Sequence, residues 1–399
     1  MRTDAWLAHH LPELVALRRD LHAHPELGRH EHRTTSALVA RLERAGLAPQ
    51  VLRSGTGLVC DVGAAGDGGP LVGLRADLDA LPLQDEKAVV YRSTVPGACH
   101  ACGHDVHTAV VLGAGLALAE RLGARGLPGR VRLVFQPAEE IMPGGALDVI
   151  DEGWTTGLRV IFALHCDPTL AVGQVGVKTG PITAAADAVQ VRLTGPGGHT
   201  SRPHNTVDLV HALATVATGL PDALSRLVDP RAGLCLVWGH VSAGVAQNAI
   251  PREGLLRGTV RVLDPQVWDT LPELVHRLVA GLAAPYGAAA EVTYARGVPP
   301  VDNEPWATAV LAAGAALALG PDAVVPTPQS LGGEDFGWYL EGVPGAMARL
   351  GVRAPGSARA HDLHQGSFDV DEAAIGVGVR VLVEAALGAL AAPPGDRPE

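Results

Sequence analysis

The chain has 399 residues, of which 47% are hydrophobic and 18% charged, so it can bury a large core and is not globally disordered. Its 31 basic and 42 acidic residues give a formal net charge of −11, which argues against a nucleic-acid-binding surface spread over the whole chain. At about 100–200 residues per domain, this length predicts two or three domains.

The sequence contains no sign of a membrane segment. The longest uninterrupted apolar runs, Ala109–Ala119 and Ala309–Gly320, fall short of the roughly 18 residues that cross a bilayer. The N-terminal sequence MRTDAWLAHH carries Asp4 and lacks the basic and then apolar order of a signal peptide. We therefore expect a soluble, cytoplasmic protein with no membrane partner, and a frayed C-terminal tail from Ala392.

Helices and short apolar strands alternate in the first part of the chain. The first 50 residues have leucines at helical spacing, and the segments that follow are predicted as strands at Leu71–Leu74, Val131–Phe135 and Val160–Leu164 and as helices near Ala109–Leu122 and Gly145–Glu152. This alternation predicts an α/β fold with a mostly parallel central sheet that helices cover on both faces.

The middle of the chain has a different order of elements. The predicted strands and helices, in chain order, are Ala188–Leu193, helix Val207–Leu220, Leu234–Val241, Leu255–Val262, helix Val267–Leu282 and Ala289–Tyr294. This β-α-β-β-α-β order is typical of a ferredoxin-like α+β domain. The α/β pattern then resumes with a helix near Ala307–Leu319 and a strand at Ala346–Leu350. We therefore predict an inserted domain at 182–295 within a larger domain built from residues 1–181 and 296–399.

The five cysteines are an odd number in a long chain and do not indicate a disulfide framework. Cys60 and Cys235 are expected to be buried small hydrophobic residues. Cys99 and Cys102 form a C-x-x-C pair, but they lie in the string CHACGHDVH, where several histidines are present. This composition favours metal binding over redox chemistry.

Polar side chains follow three of the predicted strands. Asp77 and Asp79 follow the first strand, Glu139 and Glu140 the second, and His165 the third. Ligands of open α/β sheets bind beyond the carboxyl ends of the strands, so these side chains are expected to share one crevice with the Cys-Gly-His-Asp-x-His string and a late histidine. Thiolate, imidazole and carboxylate together suit zinc or another borderline divalent metal, and about five such groups favour two metals. If one of the adjacent glutamates is a ligand, the other can act as general base.

Other catalytic classes lack their sequence motifs. The chain contains no G-x-S-x-G elbow, no G-x-x-x-x-G-K-[ST] loop and no H-E-x-x-H motif. Its glycine-rich strings also lack the dinucleotide-binding spacing, so serine hydrolases, ATPases and Rossmann dehydrogenases are not favoured.

The chain resembles the two-metal aminoacylase/carboxypeptidase metallopeptidases, in particular the branch of amidohydrolases that includes hippurate hydrolases, N-acyl-amino-acid deacylases and auxin-conjugate hydrolases. The strings that carry the resemblance are HAHPELGRHEHRTT, LRADLDALPLQDE, HACGHDVHTA, FQPAEE, ALHCDP, GPGGHTSRPH, QNAIP, GTVR, GGEDF and LHQGSF. The resemblance implies a zinc-peptidase-like catalytic domain and an inserted lid and dimerisation domain. It also implies two divalent metal ions per subunit, with zinc favoured and manganese, cobalt or nickel as alternatives.

The resemblance also implies roles for individual residues. The implied metal ligands are Cys102, which would bridge the two metals, and His104, Glu140, His165 and His364. Glu139 would be the general base and proton shuttle, and Asp79 would orient neighbouring groups, whereas Asp77 is left out of the ligand set. In the inserted domain, the implied roles are polarisation of the scissile carbonyl in the opposite subunit by His199 and binding of substrate by Asn248 and Arg261. The loop that contains Gly333 would offer backbone N–H groups to the substrate.

These implications predict hydrolysis of a small-molecule N-acyl amino acid by a homodimer, with a homotetramer as the alternative. The rival predictions are a dipeptidase or carboxypeptidase of the same family, a metal-dependent esterase, and a binding protein that keeps the fold without turnover. The last rival is disfavoured, because the chain keeps both the expected ligands and the expected base.

Overall fold

The computed structural model describes residues 3–63, 69–125, 129–357 and 361–393, so residues 394–399 of the predicted tail lie outside the described part. The chain divides into two compact units. Unit 1 comprises Met1–Gly180, Asn303–Pro328 and Asp335–Glu399. Unit 2 comprises Pro181–Asp302 and Gln329–Glu334.

Helices and strands follow one another along the chain in three groups. Up to the start of unit 2 they are α1 Thr3–Ala23, α2 His32–Arg44, β1 Gln50–Val51, β2 Leu58–Val62, β3 Leu71–Asp77, α3 His104–Arg125, β4 Arg130–Gln136, α4 Ala146–Asp151, β5 Leu158–Ala171, β6 Val175–Val177 and β7 Gly180–Pro181. The next are β8 Ala185–Thr194, β9 Gly198–His199, α5 Leu209–Leu227, β10 Cys235–Ala243, β11 Ala249–Ile250, β12 Glu253–Val262, α6 Pro265–Ala283 and β13 Ala289–Val298. The last are β14 Asp302–Asn303, α7 Pro305–Leu319, β15 Val324–Pro326, α8 Gly337–Leu340, β16 Gly345–Arg353 and α9 Ala373–Ala391.

The sheet of unit 1 is parallel at its centre. Its strand order is β1-β2-β4-β3-β5-β16-β6-β15, and β4, β3, β5 and β16 run parallel to one another. Toward the edges, β2 pairs antiparallel with β4, and β6 pairs antiparallel with β16. The predicted α/β class with a mostly parallel central sheet is therefore confirmed, with antiparallel strands near the edges that the prediction omits.

Helix α9 lies in the core of unit 1. It packs against α1, α3 and α7, and glycines shape these contacts: a Cβ at Gly314 of α7 would lie 2.6 Å from the backbone nitrogen of Ala385. By length and composition α9 could cross a membrane, yet 72% of its apolar window is buried within the protein, as in the core helix of a globular domain. The sequence pattern predicts no element at this position, because buried residues cover most of the helix circumference and leave a narrow stripe, which includes Arg380 and Glu384, outside the core.

Unit 2 contains a four-stranded antiparallel sheet in the order β10-β12-β8-β13. Its main elements follow one another as β8, α5, β10, β12, α6 and β13, which is the predicted β-α-β-β-α-β order. Asp208 and Asp264 cap the N-termini of α5 and α6 with their carboxylates. The main segment of this unit extends beyond the predicted 182–295 because β13 continues to Val298 and the amide of Ile182 donates to Val301 at 2.9 Å.

The expectation of burial is correct for Cys60 and wrong for Cys235. Cys235 begins β10, which is an edge strand with β12 as its only neighbour in the described four-stranded sheet. Val237 and Val241 on the same strand are also exposed. The apolar composition of an edge strand thus does not ensure burial.

Candidate metal centre

The candidate site lies at the carboxyl ends of neighbouring parallel strands in unit 1. Asp77, the last residue of β3, pairs with Gln136, the last residue of β4. On the other side of β3, Arg75 pairs with Ala163 of β5. The loops that leave β3 and β4 therefore begin side by side, as the sequence predicts.

His165 differs from its prediction in one respect. The predicted strand ends at Leu164, whereas β5 continues to Ala171 because β16 pairs with it further along, with Arg349 opposite His165. His165 thus lies within a strand, just beyond the point where β5 stops pairing with β3. Its position is fixed by regular β pairing and not by a loop.

Asp79 fixes the loop that carries the adjacent glutamates. Its carboxylate accepts hydrogen bonds from the backbone N–H groups of Glu139 and Glu140, each at 3.0 Å. Just before them, Ala138 has a φ of 54°, and its N–H donates to the buried Glu31 at 2.7 Å. The loop is therefore held in a conformation that a non-glycine residue rarely adopts without such support.

His104 is the first residue of α3 and is oriented by the same aspartate. Its Nδ1 donates to the backbone oxygen of Asp79 at 2.8 Å, so Nε2 is left as the acceptor. Nε2 is buried, has no hydrogen-bond partner among the residues that the structure describes, and lies 3.9 Å from carboxylate oxygens of both Glu139 and Glu140.

Cys102 and His165 meet on the other side of this group. His165 Nδ1 donates to the carbonyl of Cys166 at 2.9 Å, and its Nε2 lies 3.5 Å from Cys102 Sγ. Gly103, between Cys102 and His104, has a φ of +87°, and a Cβ there would lie 2.7 Å from Cys166 Sγ. Only glycine fits this position without displacement.

His364 reaches the same group from the last segment of unit 1, Asp335–Glu399. Its N–H donates to the carbonyl of Ala101 at 2.8 Å, and its Nε2 lies 3.3 Å from Glu140 Oε1. The backbone of His364 has a φ of 61°, a strained value for a residue with a side chain.

The structure brings all five predicted ligands together in overlapping groups. Within each group the donor atoms lie no more than 4.8 Å apart; the groups include Cys102/His104/His165, Cys102/Glu140/His364 and His104/Glu139/Glu140. Cys99, the other cysteine of the C-x-x-C pair, is in none of these three, and its thiol accepts from Lys87 Nζ at 3.6 Å.

The donor set fits divalent metal ions. His104 Nε2 is buried without a hydrogen-bond partner among the described residues, which is costly unless a cation satisfies its lone pair, and the buried Glu140 Oε1 lies 3.9 Å from it. A thiol, imidazoles and carboxylates are the ligands that zinc and similar metals prefer. Burial raises the pKa of the Cys102 thiol, with His104 opposing in part, so metal binding would release a proton from this residue.

His107 and Asp77 lie behind the predicted ligands and form a hydrogen-bonded pair to which the sequence pattern gives no role. His107 Nδ1 donates to Asp77 at 2.6 Å, and His107 Nε2 accepts from the N–H of Cys166 at 2.8 Å. Both ring nitrogens are thus engaged within the protein. Although burial opposes ionisation, His104, His107 and Arg75 hold the pKa of Asp77 well below its usual range. The available signal for His107 is its place in the Cys-Gly-His-Asp-x-His string, in which His104 keeps Nε2 available and His107 uses both ring nitrogens in hydrogen bonds.

Asp335, in the GGEDF string, forms a second buried pair with Arg75. It accepts from Arg75 at 2.6 Å and from the side chain of Gln136 at 2.7 Å. Arg75 also donates to Asp77 at 2.6 Å, so it connects Asp335 to Asp77, which lies behind the predicted metal ligands. These contacts join segments far apart in the sequence and have no local motif.

The remaining predicted residues lie in unit 2. His199 is exposed on β9, where its Nδ1 accepts from the hydroxyl of Ser201 at 2.8 Å. The N–H of Thr200 donates to the carbonyl of Asn248 at 3.3 Å, which makes His199 and Asn248 neighbours. Arg261, on β12, donates to the carbonyl of Leu331 at 3.0 Å, in the loop that also contains Gly333.

Comparisons with known proteins give a consistent result. The sequence profile described as peptidase family M20/M25/M40 matches residues 73–388. A protein of Rhodococcus jostii, named as a glutamate–cysteine ligase, is 50% identical over 371 residues; this is 93% of the present chain, which spans only 46% of that relative. The N-acetylcysteine deacetylase of Bacillus subtilis is 36% identical over 378 residues, 94% of this chain and 96% of that one.

A similar structure has been solved for the YXEP protein of Bacillus subtilis, described as a dinuclear metal binding peptidase of the M20 family. Its TM-score is 0.83 at 32% sequence identity, with 97% of this chain and 99% of that chain covered. Together with the donor groups above, this similarity supports a site for two divalent metal ions.

The role of Asp79 can be tested with Asp79→Asn. An amide can accept only one of the two N–H groups and turns its own N–H toward the other, so we expect metal affinity to fall about 10–100-fold. The measurement is competition for metal with a chromophoric chelator. Asp61→Asn is the matched control, because the side-chain hydrogen bonds of Asp61 within the described part of the chain go to Arg130 and Arg132 and not to the five predicted ligands. Unchanged metal affinity in folded Asp79→Asn would contradict this role.

Proposed function

This chain belongs to peptidase family M20/M25/M40, and we propose that it is a metal-dependent amidohydrolase that cleaves N-acyl amino acids into a carboxylic acid and a free amino acid. The observation that carries the proposal is the pair of adjacent glutamates, which Asp79 holds through both backbone N–H groups beside a cluster of sulfur, nitrogen and oxygen donors. The name of the Bacillus subtilis deacetylase, matched over nearly the full length of both chains, supports the same class of substrate.

We assign the binding of two divalent metals to Cys102, His104, Glu140, His165 and His364. When bound, such ions polarise a carbonyl oxygen and lower the pKa of water. Cysteine among the donors favours zinc, and manganese, cobalt and nickel are the alternatives.

Glu139 is proposed as the group that moves protons. Its side chain is buried, and its Oε2 lies 3.9 Å from His104 Nε2, at the edge of the donor cluster. As general base its carboxylate takes a proton from the attacking water, and as general acid it returns that proton to the nitrogen of the leaving amino acid. Because Asp79 fixes the backbone of Glu139, the carboxylate stays in place between the two transfers.

The residues of unit 2 are proposed to bind the substrate. Arg261 offers a planar fork of donors that suits the carboxylate of the amino-acid part, and Asn248 and the backbone of Gly333 supply further hydrogen bonds. His199 is proposed to polarise the scissile carbonyl of a substrate bound to the partner subunit, which requires a homodimer.

The substrate class is tested with a panel of N-acetyl amino acids, N-benzoyl amino acids, dipeptides and C-terminally extended peptides, assayed after chelator dialysis and re-addition of each metal. We expect hydrolysis of the N-acyl amino acids, no turnover without metal, and restoration by zinc or one of the alternatives. Higher kcat/KM for unblocked dipeptides than for every N-acyl amino acid would favour the dipeptidase or carboxypeptidase alternative.

Glu139 and Glu140 provide a matched pair of substitutions. Glu139→Gln removes the proton carrier and keeps the side-chain shape, so we expect kcat to fall about 10²–10⁴-fold with full metal content. Glu140→Gln removes a predicted ligand, so in this variant metal content itself should fall. Metal analysis and steady-state kinetics on both variants separate these outcomes. Near-normal turnover by Glu139→Gln would exclude it as the proton carrier.

The action of His199 across a dimer is tested by mixing two inactive variants, His199→Ala and Glu139→Ala. A mixed dimer carries one site with both residues intact and one site with neither. Subunit exchange should therefore give each mixed dimer up to about half of the activity of the unchanged dimer. Exchange is verified with differently tagged subunits. If mixed dimers form and remain inactive, His199 does not act in the partner's site.

A further inference from the structure

Arg18, in helix α1, is buried among carboxylates from two distant chain segments. Its Nε donates to Asp105 at 2.8 Å, its Nη2 to Asp369 at 3.2 Å and its Nη1 to Glu372 at 3.3 Å. The arginine and Asp105 side chains are both only 1% exposed. Each of the three nitrogens of this guanidinium thus donates to a different carboxylate.

The acceptors lie next to proposed metal ligands. Asp105 directly follows His104 in the first turn of α3, and Cys102 lies three residues before it. Asp369 follows His364 by five residues, and Glu372 is the N-cap residue of α9. Arg18 therefore ties the segment that carries Cys102 and His104 to the segment that carries His364.

Neighbouring side chains hold this arrangement in place. The guanidinium of Arg18 stacks 4.7 Å from the ring centroid of Tyr91, and the Tyr91 hydroxyl donates to Asp369 at 2.9 Å. One turn along α1, His22 Nδ1 donates to the same oxygen of Asp105 at 2.7 Å. A lysine could not reproduce the contacts, because its ammonium is a point charge without the planar fork.

The two sides of this connection differ in exposure. The Asp105 side is buried, whereas Asp369 is 29% exposed and His364 is 54% exposed. His364 is also held in a strained conformation, with one backbone bond to Ala101. The position of His364 therefore depends on contacts made by other residues of its segment. The ion pair between Arg18 and Asp369 is one such contact.

From these contacts we infer that Arg18 is a positioning residue of the metal centre, which sets the position of the His364 segment relative to Cys102 and His104. This inference rests on the proposed ligand set, and it assigns Arg18 no contact with substrate. An arginine that only stabilised the fold would affect unfolding and leave the metal affinity of the folded protein unchanged.

The test is Arg18→Lys, measured by chelator competition for zinc on the full chain at a temperature where thermal scans show the variant folded. We expect the dissociation constant for zinc to rise about tenfold or more, in the range typical of residues that orient metal ligands. The matched control is Arg132→Lys. Arg132 is 10% exposed, donates to Asp61 at 2.7 Å and lies over the ring of Trp154, so it has the same kinds of contact as Arg18 in a different cluster. The control should bind zinc within about twofold of the unchanged protein.

Asp369→Asn provides a second route to the same answer, including the case in which Arg18→Lys fails to fold. It removes the charge on the His364 side alone and should also weaken zinc binding. The double variant Arg18→Lys/Asp369→Asn should bind zinc no more weakly than the single variant with the lower affinity, because the two substitutions break the same connection. Unchanged zinc affinity in either folded single variant would overturn the inference. Since zinc affinity is measured without substrate, failure of the N-acyl amino acids as substrates would leave this result standing.

Discussion

The candidate site depends on the hydrogen bonds of one residue, Asp79. From the end of β3 its carboxylate accepts two consecutive N–H groups of the loop after β4, and its carbonyl accepts the ring of His104 at the start of α3. A buried carboxylate is unfavourable unless such donors surround it. Satisfying Asp79 therefore fixes two glutamates and a histidine at once. It also leaves the buried His104 Nε2, which has no hydrogen-bond partner in the described part of the chain, 3.9 Å from Glu140 Oε1, an arrangement that a cation would stabilise.

Behind the donors, the buried charges alternate in sign. Asp77 pairs with His107 and Arg75, and Arg75 pairs in turn with Asp335. Removing one member of such a buried set leaves its partner charge without compensation, which costs more than the pair contributes to stability. The two histidines of one short string also differ in their hydrogen bonds: His104 keeps a ring nitrogen available, whereas His107 uses both nitrogens within the protein.

The sequence predicts the parts of the molecule that follow from local pattern. Alternating apolar strands and helices indicate the α/β class, and polar residues after two parallel strands indicate which edge of the sheet to examine. The resemblance to the metallopeptidases is likewise confirmed by the match over residues 73–388.

Features that depend on contacts between distant segments are not predictable in this way. The extension of β5 past His165 requires β16, and the exposure of Cys235 depends on its strand lying at a sheet edge. The role of Arg18 is not visible in the local sequence, since its carboxylate partners lie 87 and more than 350 residues away.

The two cysteines of the C-x-x-C pair show why spacing alone does not define a metal site. The backbone of Cys99 exchanges hydrogen bonds with Leu81 at 3.0 and 3.1 Å, and its thiol accepts from the ammonium of Lys87. Cys99 thereby lies in a separate polar cluster with His22 and Asp85, in which Lys87 also pairs with Asp85 at 3.0 Å. Cys102 is followed by Gly103, whose left-handed conformation leads directly into α3 and lets Cys102 and His104 face the same point. The informative element is therefore Cys-Gly-His before a helix, because the glycine permits the turn that brings a thiol and an imidazole together.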